Sequence, residues 1–266
     1  PDKNREHYSF SVQDEWRFAN DWELTAGLRY DSFTQFGDSI NPRLALVWST
    51  AYNLTTKFLY GRAFRAPSFG ELYAQNNPAL IGNASLDPEL IDTYEVAFDY
   101  RPSYELDIKL NVFHYKIKDL IDVQFNTEAT NALKQSGHGF ELEMVWRPSD
   151  DLTIISNYAW QNAEDDVSNA QIANAPKRQF YLRSVWALNQ TMTASSVVNW
   201  VADRARAPGD TTRSAIDDYT SVDLILQYSP AVEGLDISLV GRNIFDEDMR
   251  EPSTSQFLAA PEIPND

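Results

Sequence analysis

Apolar and polar residues alternate at every second position in segments that recur along almost the whole of this 266-residue chain. In one early segment the apolar positions are Trp22, Leu24, Ala26, Leu28 and Tyr30. Because successive side chains of a β-strand point to opposite faces, this period of two predicts an all-β chain of about a dozen strands of roughly ten residues. No segment has a period that predicts a helix with confidence.

The connections between these predicted strands alternate in length. Turns of about 2–5 residues, such as Asn20-Asp21, alternate with polar loops of about 10–25 residues, such as residues 32–41, a loop between Val112 and Phe140, and residues 164–176. An up-and-down sheet with short turns on one side and long loops on the other is typical of a transmembrane antiparallel β-barrel of the outer membrane. A soluble β-sandwich or propeller is the alternative, although soluble strands average nearer five or six residues.

The two faces of the predicted strands differ in a way that suits a membrane barrel. The apolar faces tend to end in Trp or Tyr, as interfacial girdles require. Because every backbone group in a bilayer must be paired, the sheet has to close, and its polar face then lines a lumen. The predicted lumen-facing polar residues are Arg29, Glu95, Glu141, Glu143, Asp223 and Arg242.

Composition excludes several other classes of protein. A net charge of −17 disfavours a nucleic-acid partner, which needs clustered Lys and Arg. The absence of cysteine rules out disulfides, thiol nucleophiles and Cys-ligated zinc. No run of about 18 apolar residues predicts a transmembrane helix.

The most distinctive stretch is Phe-Arg-Ala-Pro-Ser-Phe-Gly-Glu-Leu-Tyr at residues 64–73. An alternating strand runs here into Pro67, which cannot donate to a β-ladder, and an asparagine-rich loop leads to the next strand at Asp92. Further motifs are the predicted hairpin of residues 12–30, Gly-His-Gly-Phe-Glu-Leu-Glu at residues 137–143 and Gly-Arg-Asn-Ile-Phe-Asp at residues 241–246. In this order, the motifs resemble the barrel domain of TonB-dependent outer-membrane receptors.

The resemblance implies that residues 1–266 form a single partial β-barrel domain. If the family barrel has 22 strands, this chain supplies about 12 of them. The plug domain, the TonB-binding segment and the final strand of the family are expected to be absent from this chain.

The resemblance also implies a function. The expected protein is an outer-membrane receptor of a bacterial cell for energy-coupled uptake of a scarce ligand, most often a ferric siderophore and sometimes cobalamin or an oligosaccharide. The expected partners are TonB and its inner-membrane motor complex through the plug, the ligand, the lipid bilayer and lipopolysaccharide. No cofactor, metal or enzymatic activity is expected. The alternatives are a passive porin- or adhesin-type barrel and a soluble β-rich carbohydrate-binding protein.

The loop after the Phe-Arg-Ala-Pro stretch is the predicted place of ligand binding. Arginines suit an anionic chelate, and aromatic and amide groups suit siderophores and sugars alike. The predicted ligand-binding residues are Arg62, Arg65, Tyr73, Gln75, Asn76 and Asn77. For the arginines, structural pairing with Glu71, Glu89 or Glu95 is the favoured interpretation.

Two other groups of residues have side chains of the types used in catalysis or metal binding. Glu141 and Glu143 share one strand face at about 7 Å, near the carboxylate separation of inverting glycosidases. A charged pair beside basic neighbours is the favoured interpretation, because nothing in the sequence predicts a cleft that raises one pKa. His7, His114 and His138 lack metal-ligand spacing.

Overall fold

Twelve strands of the chain form one antiparallel sheet, ordered β1 to β12 as in the sequence. The computed structural model describes residues 4–77, 80–123, 127–173, 175–206, 214–232, 234–251 and 263–264. The strands are β1 (His7–Ala19), β2 (Trp22–Phe33), β3 (Gly37–Ala51), β4 (Leu54–Arg65), β5 (Glu89–Tyr100), β6 (Leu106–Asp122), β7 (Thr130–Ser149), β8 (Leu152–Asp165), β9 (Arg178–Asn189), β10 (Met192–Ala202), β11 (Tyr219–Tyr228) and β12 (Ile237–Gly241). The predicted all-β, up-and-down architecture of about a dozen strands is confirmed.

Three short elements complete the described part of the chain. Helix α1 (Phe69–Tyr73) lies between β4 and β5, and β13 (Arg250–Glu251) pairs with β14 (Ile263–Pro264). Among the residues that the structure describes, no helix has the length and apolar character needed to cross a membrane.

The period-two pattern leaves one apolar face of the first strands uncovered. On β1 the side chains of Phe10 and Trp16 are 68% and 61% exposed. Trp22 of β2 lies directly opposite Trp48 of β3, and the two rings stack with centroids 4.9 Å apart. A continuous exposed apolar face is expected where lipid, rather than water, covers a sheet.

The prediction of a long polar loop at residues 32–41 is wrong. Strand β2 continues to Phe33 and β3 begins at Gly37, so only residues 34–36 connect them. Polar side chains stabilise this part of the sheet: the fully buried Asp31 accepts hydrogen bonds from Arg29 and lies 2.7 Å from the His7 ring nitrogen. The strict alternation of short and long connections therefore fails at this point.

Two strands are much longer than the predicted ten residues. Strands β6 and β7 have 17 and 20 residues, and they include most of the stretch between Val112 and Phe140 in which a loop was predicted. Their polar and aromatic residues also form contacts between strands, as where Gln135 donates to the hydroxyl of Tyr115 at 3.2 Å. Side-chain hydrogen bonds of this kind support strand structure where no alternating apolar face is present.

The chain divides into two compact units. The first comprises Pro1–Ala97, Val112–His138 and Ala163–Gln171, and its buried apolar cluster lies under the β4–β5 loop. The second comprises Phe98–Asn111, Gly139–Asn162 and Ile172–Asp266 and contains the β9–β10 and β10–β11 ladders. Its Phe140 ring packs against Tyr158 and Trp160, at centroid distances of 5.8 and 6.1 Å.

Candidate ligand-binding site

The predicted ligand-binding loop, residues 66–88, contains the short helix α1. Ser68 caps this helix: its hydroxyl accepts from the Glu71 amide at 3.2 Å, and the Glu71 carboxylate accepts from the Ser68 amide at 2.7 Å. The Ser-x-x-Glu spacing of this reciprocal capping box is readable in the sequence, although a helix of five residues is too short to show a helical period.

Apolar burial holds the inner side of the loop. Leu72 and Leu86 are 1% and 2% exposed and form a cluster with Ile121 of β6 and Ala129. Gly82 lies so close to the helix that a Cβ atom there would be 2.4 Å from the backbone nitrogen of Ala74. The loop therefore folds back on itself around a small core.

Two asparagines, one in the loop and one on β7, join the loop to β6, β7 and the residue before β7. The side-chain amide of Asn83 donates to the carbonyl of Ala129 at 2.9 Å. The side chain of Asn131 accepts from the Asp87 amide at 2.9 Å and donates to the carbonyls of Asp87 and Asp119. Because each of these bonds joins an asparagine side chain to a backbone group of a neighbouring segment, the loop has a defined position in its unit.

Arg65 joins the two ends of the loop. Its guanidinium donates to Glu89 at 2.5 and 2.6 Å and to Glu71 at 3.1 Å on each oxygen. Glu89 also accepts from the Ile121 amide at 2.9 Å. Burial alone would raise the pKa of Glu71, but Arg65 and the hydrogen bonds from Ser68 outweigh burial and hold that pKa below its usual range. The favoured interpretation of structural pairing is therefore confirmed at Arg65.

Arg62 is also paired, but with a carboxylate that the sequence did not identify. Its guanidinium donates to both oxygens of Asp92, at 2.8 and 2.9 Å, and the Tyr60 hydroxyl donates to the same carboxylate at 2.9 Å. Asp92 is only 6% exposed. Since the negative partner already neutralises each guanidinium, Arg62 and Arg65 are weaker candidates for direct ligand contact than the sequence indicated.

The remaining predicted ligand residues lie at the end of α1. Tyr73 packs against the buried cluster, whereas Gln75, Asn76 and Asn77 are exposed. Asn76 has a φ of 57°, a left-handed conformation that asparagine adopts more readily than most residues. Residues 75–77, which we call the amide tip, therefore follow a base that consists of α1 and the buried cluster beneath it. Their contact with a ligand remains a prediction.

The residues predicted to line a lumen have several partners. In the first unit, Arg29 pairs with Asp31, and Glu95 lies on β5. In the second unit, Glu143 accepts from Lys109 at 2.8 Å, in agreement with the favoured interpretation of this carboxylate. The others are distributed as follows: Glu141 on β7, Asp223 on β11, where it accepts from the Asn243 amide at 2.8 Å, and Arg242 directly after β12. Their orientation toward a lumen remains a prediction.

A family assignment agrees with this geometry. Residues 1–244 match the family model described as TonB dependent receptor-like, beta-barrel. The chain belongs to the TonB-dependent receptors. The match confirms the resemblance read from the motifs and places the chain in the bacterial outer membrane. The family comprises receptors and transporters, which is consistent with the expectation of no enzymatic activity.

Individual relatives of the chain differ in their named ligands. The metal-pseudopaline receptor CntO of Pseudomonas aeruginosa is 25% identical over 297 residues, which cover 99% of this chain and 40% of that protein. The vitamin B12 transporter BtuB of Vibrio cholerae is 33% identical over 117 residues, which cover 44% of this chain and 18% of that protein. The chain spans less than half the length of these TonB-dependent receptors.

A solved structure supports the fold independently. The ferric-catecholate import receptor Fiu from Escherichia coli K12 superposes with a TM-score of 0.80 and 15% identity, covering 98% of this chain and 43% of that one. At this identity the similarity concerns the fold, and the strand order of the present chain agrees with a TonB-dependent receptor barrel.

The sequence reasoning missed the two buried acids, Asp31 and Asp92, around which the polar groups of the first unit are arranged. Asp92 was visible as the start of a strand, but its pairing with Arg62 depends on the β4–β5 register. Asp31 directly follows Tyr30 in the chain, where the apolar alternation ends. An acid at the end of an apolar strand face is a usable sign of such a network.

Proposed function

We propose that the complete TonB-dependent receptor containing this chain takes up a ferric siderophore across the outer membrane. The observation that carries the proposal is the β4–β5 loop, which presents the amide tip on an anchored base. Binding residues on loops held by a rigid scaffold are a common arrangement in recognition sites. The printed names of CntO and Fiu, a metal-pseudopaline receptor and a ferric-catecholate receptor, support a metal chelate as the substrate class.

The construction of the loop suits a receptor better than a passive pore. Arg65 and Asn131 fix the base, so that ordering of the loop costs little at the moment of binding. A passive pore has no need for such a base. By family membership, we further propose that TonB supplies the energy for release of the ligand inward, since the outer membrane has no energy source of its own.

The test is uptake by cells that carry the complete receptor in a Gram-negative host lacking its own chelate receptors. Accumulation of iron-55 is measured for a ferric catecholate, a ferric trihydroxamate and ferric citrate, and of cobalt-57 for cyanocobalamin, with and without TonB. We expect TonB-dependent uptake of an iron chelate. Uptake that persists without TonB would favour the porin alternative, and uptake of cyanocobalamin alone would replace the siderophore.

The role of the loop is tested by the triple variant Gln75→Ala, Asn76→Gly and Asn77→Ala, in which glycine keeps the left-handed backbone of residue 76. We expect weaker binding of the transported chelate with unchanged receptor abundance, because the change removes only exposed amide groups. Asn53→Ala in the short β3–β4 turn is the matched control. Equal uptake by the triple variant and the control would remove the loop from the binding site.

A further inference from the structure

A second polar site lies on the sheet of the first unit, away from the amide tip in sequence. It is a pocket of about 250 Å³ on strands β1 to β4. The lining residues that matter chemically are Gln13, Arg29, Asn41, Arg43 and Arg62. Three arginines around one pocket are unusual in a chain whose net charge is −17.

The charges of these arginines are not equally compensated. Arg29 forms an ion pair with Asp31, and Arg62 with Asp92. Arg43 instead donates to the neutral side-chain oxygen of Gln13. Within the described ranges, no carboxylate forms an ion pair with Arg43. The pocket therefore carries an excess positive charge, and that charge is centred on Arg43.

The backbone around Arg43 is built to leave its side chain uncovered. Gln13, Gly27, Arg43 and Gly61 form one row of directly opposed residues across β1 to β4. A Cβ atom at Gly27 would lie 2.9 Å from Nε and 3.0 Å from Cγ of Arg43. The side chain of Arg43 thus occupies the space above Gly27 on its way to Gln13, and both of its neighbours in the row lack a side chain.

We propose that Arg43 is an anion-binding residue, which receives a carboxylate or catecholate oxygen of the transported chelate. This inference rests on the proposed function. A guanidinium presents a planar pair of donors that matches two anionic oxygens. Arg29 and Arg62, although paired, add positive partial charge at the edge of the pocket, and Asn41 offers a neutral donor. The substrate class is therefore an anionic ferric chelate rather than a neutral one.

Chemical modification tests the site directly on the complete receptor in detergent. Phenylglyoxal modifies accessible, uncompensated arginines, and mass spectrometry measures the extent of modification at Arg43. We expect Arg43 to react, and to be protected by the ferric complex of catechol or by ferric citrate but not by a neutral ferric trihydroxamate. The first two probes separate a catecholate from a carboxylate ligand.

Substitutions give the second measurement. Arg43→Gln should weaken binding of the protecting chelate about ten- to hundredfold, as loss of a charge-assisted hydrogen bond predicts, whereas Arg43→Lys should lose less. Gly27→Ala should weaken binding in the wild-type background and have no further effect in Arg43→Gln. Arg17→Gln is the matched control, because Arg17 lies on the same sheet and pairs with Glu23. Heat-modifiable mobility in SDS confirms that each variant is folded.

Three results would overturn the inference. The first is that neither anionic chelate protects Arg43, and the second is that Arg43→Gln and Arg17→Gln bind the chelate with equal affinity. The third is that Arg43 does not react in the receptor without chelate, because another part of the receptor then covers the guanidinium. Failure of the proposed function is distinguishable, because it is the loss of TonB-dependent uptake and does not depend on protection of Arg43.

Discussion

Replacing Arg65 by methionine should release the β4–β5 loop without unfolding the sheet. The change leaves the carboxylates of Glu71 and Glu89, 15% and 13% exposed, without their common guanidinium. Breaking a buried ion pair costs about 3–5 kcal/mol. Since the Arg65 side chain is 47% exposed, solvent screening reduces this cost, and we expect about 2 kcal/mol. Loop opening then becomes about 30 times more frequent.

Hydrogen exchange of the complete receptor measures this opening. The Leu72 and Ala74 amides, bonded to the carbonyls of Ser68 and Gly70 at 3.1 and 2.9 Å, report on α1. They should exchange about 30-fold faster in Arg65→Met, while amides of the β9–β10 ladder keep their rates. Arg17→Met is the control, because its pair with Glu23 is exposed and contributes little. If α1 exchanges within twofold of the wild type, Arg65 does not hold the loop, and the apolar base is sufficient alone.

Three further predictions concern local structure. Because the folded-state pKa of Glu71 is lowered, the contribution of Glu71 to loop stability is present above the ordinary glutamate pKa of about 4.3 and is lost as pH falls through the folded-state pKa. Hydrogen exchange of α1, corrected for intrinsic rates, should therefore become faster below about pH 4 in the wild type but not in Glu71→Gln. An equal acceleration in both proteins would refute the assignment to Glu71. Gly82→Ala should destabilise the loop by about 2 kcal/mol, because the added Cβ atom would overlap with the helix backbone. Gly70→Ala should not destabilise the loop, because its Cβ atom would meet Leu80 at an ordinary contact distance of 3.5 Å. Equal exchange rates of α1 in the two variants would contradict this packing argument. Asn243→Ala removes two side-chain hydrogen bonds to the Glu247 backbone, at 2.9 and 3.0 Å, from a residue whose φ is 43°. The loss should destabilise this turn by about 2 kcal/mol, so that the amides of residues 242–247 exchange about 30-fold faster than in Asn53→Ala. An unchanged rate would show that the backbone alone holds the turn.

The sequence predicted the strands best where one face is apolar. Trp22 to Tyr30 alternate without interruption, and β2 includes all of them. The prediction failed beyond Tyr30, because Asp31, Ser39 and Asn41 support strand structure through hydrogen bonds between side chains, which an apolar period cannot detect.

The candidate site was predictable in position but not in pairing. The motif at residues 64–73 located the loop, and the spacing of Ser68 and Glu71 contained the helix cap. The partner of Arg62 was not predictable, because Asp92 is 30 positions away and its approach depends on the register of two strands across a long loop.

The same register explains why one arginine of the first unit differs from its neighbours. Arg29 and Arg62 each lie beside a buried acid, whereas Gly27 and Gly61 flank Arg43 in its row. A glycine within a strand weakens the strand unless another group uses the space, and at Gly27 the Arg43 side chain uses it. An acid within reach of the Arg43 guanidinium, for example at position 13, could have paired with it inside the sheet. The row of Gln13, Gly27, Arg43 and Gly61 contains no acid, and this arrangement is the structural basis of the anion site that we propose at Arg43.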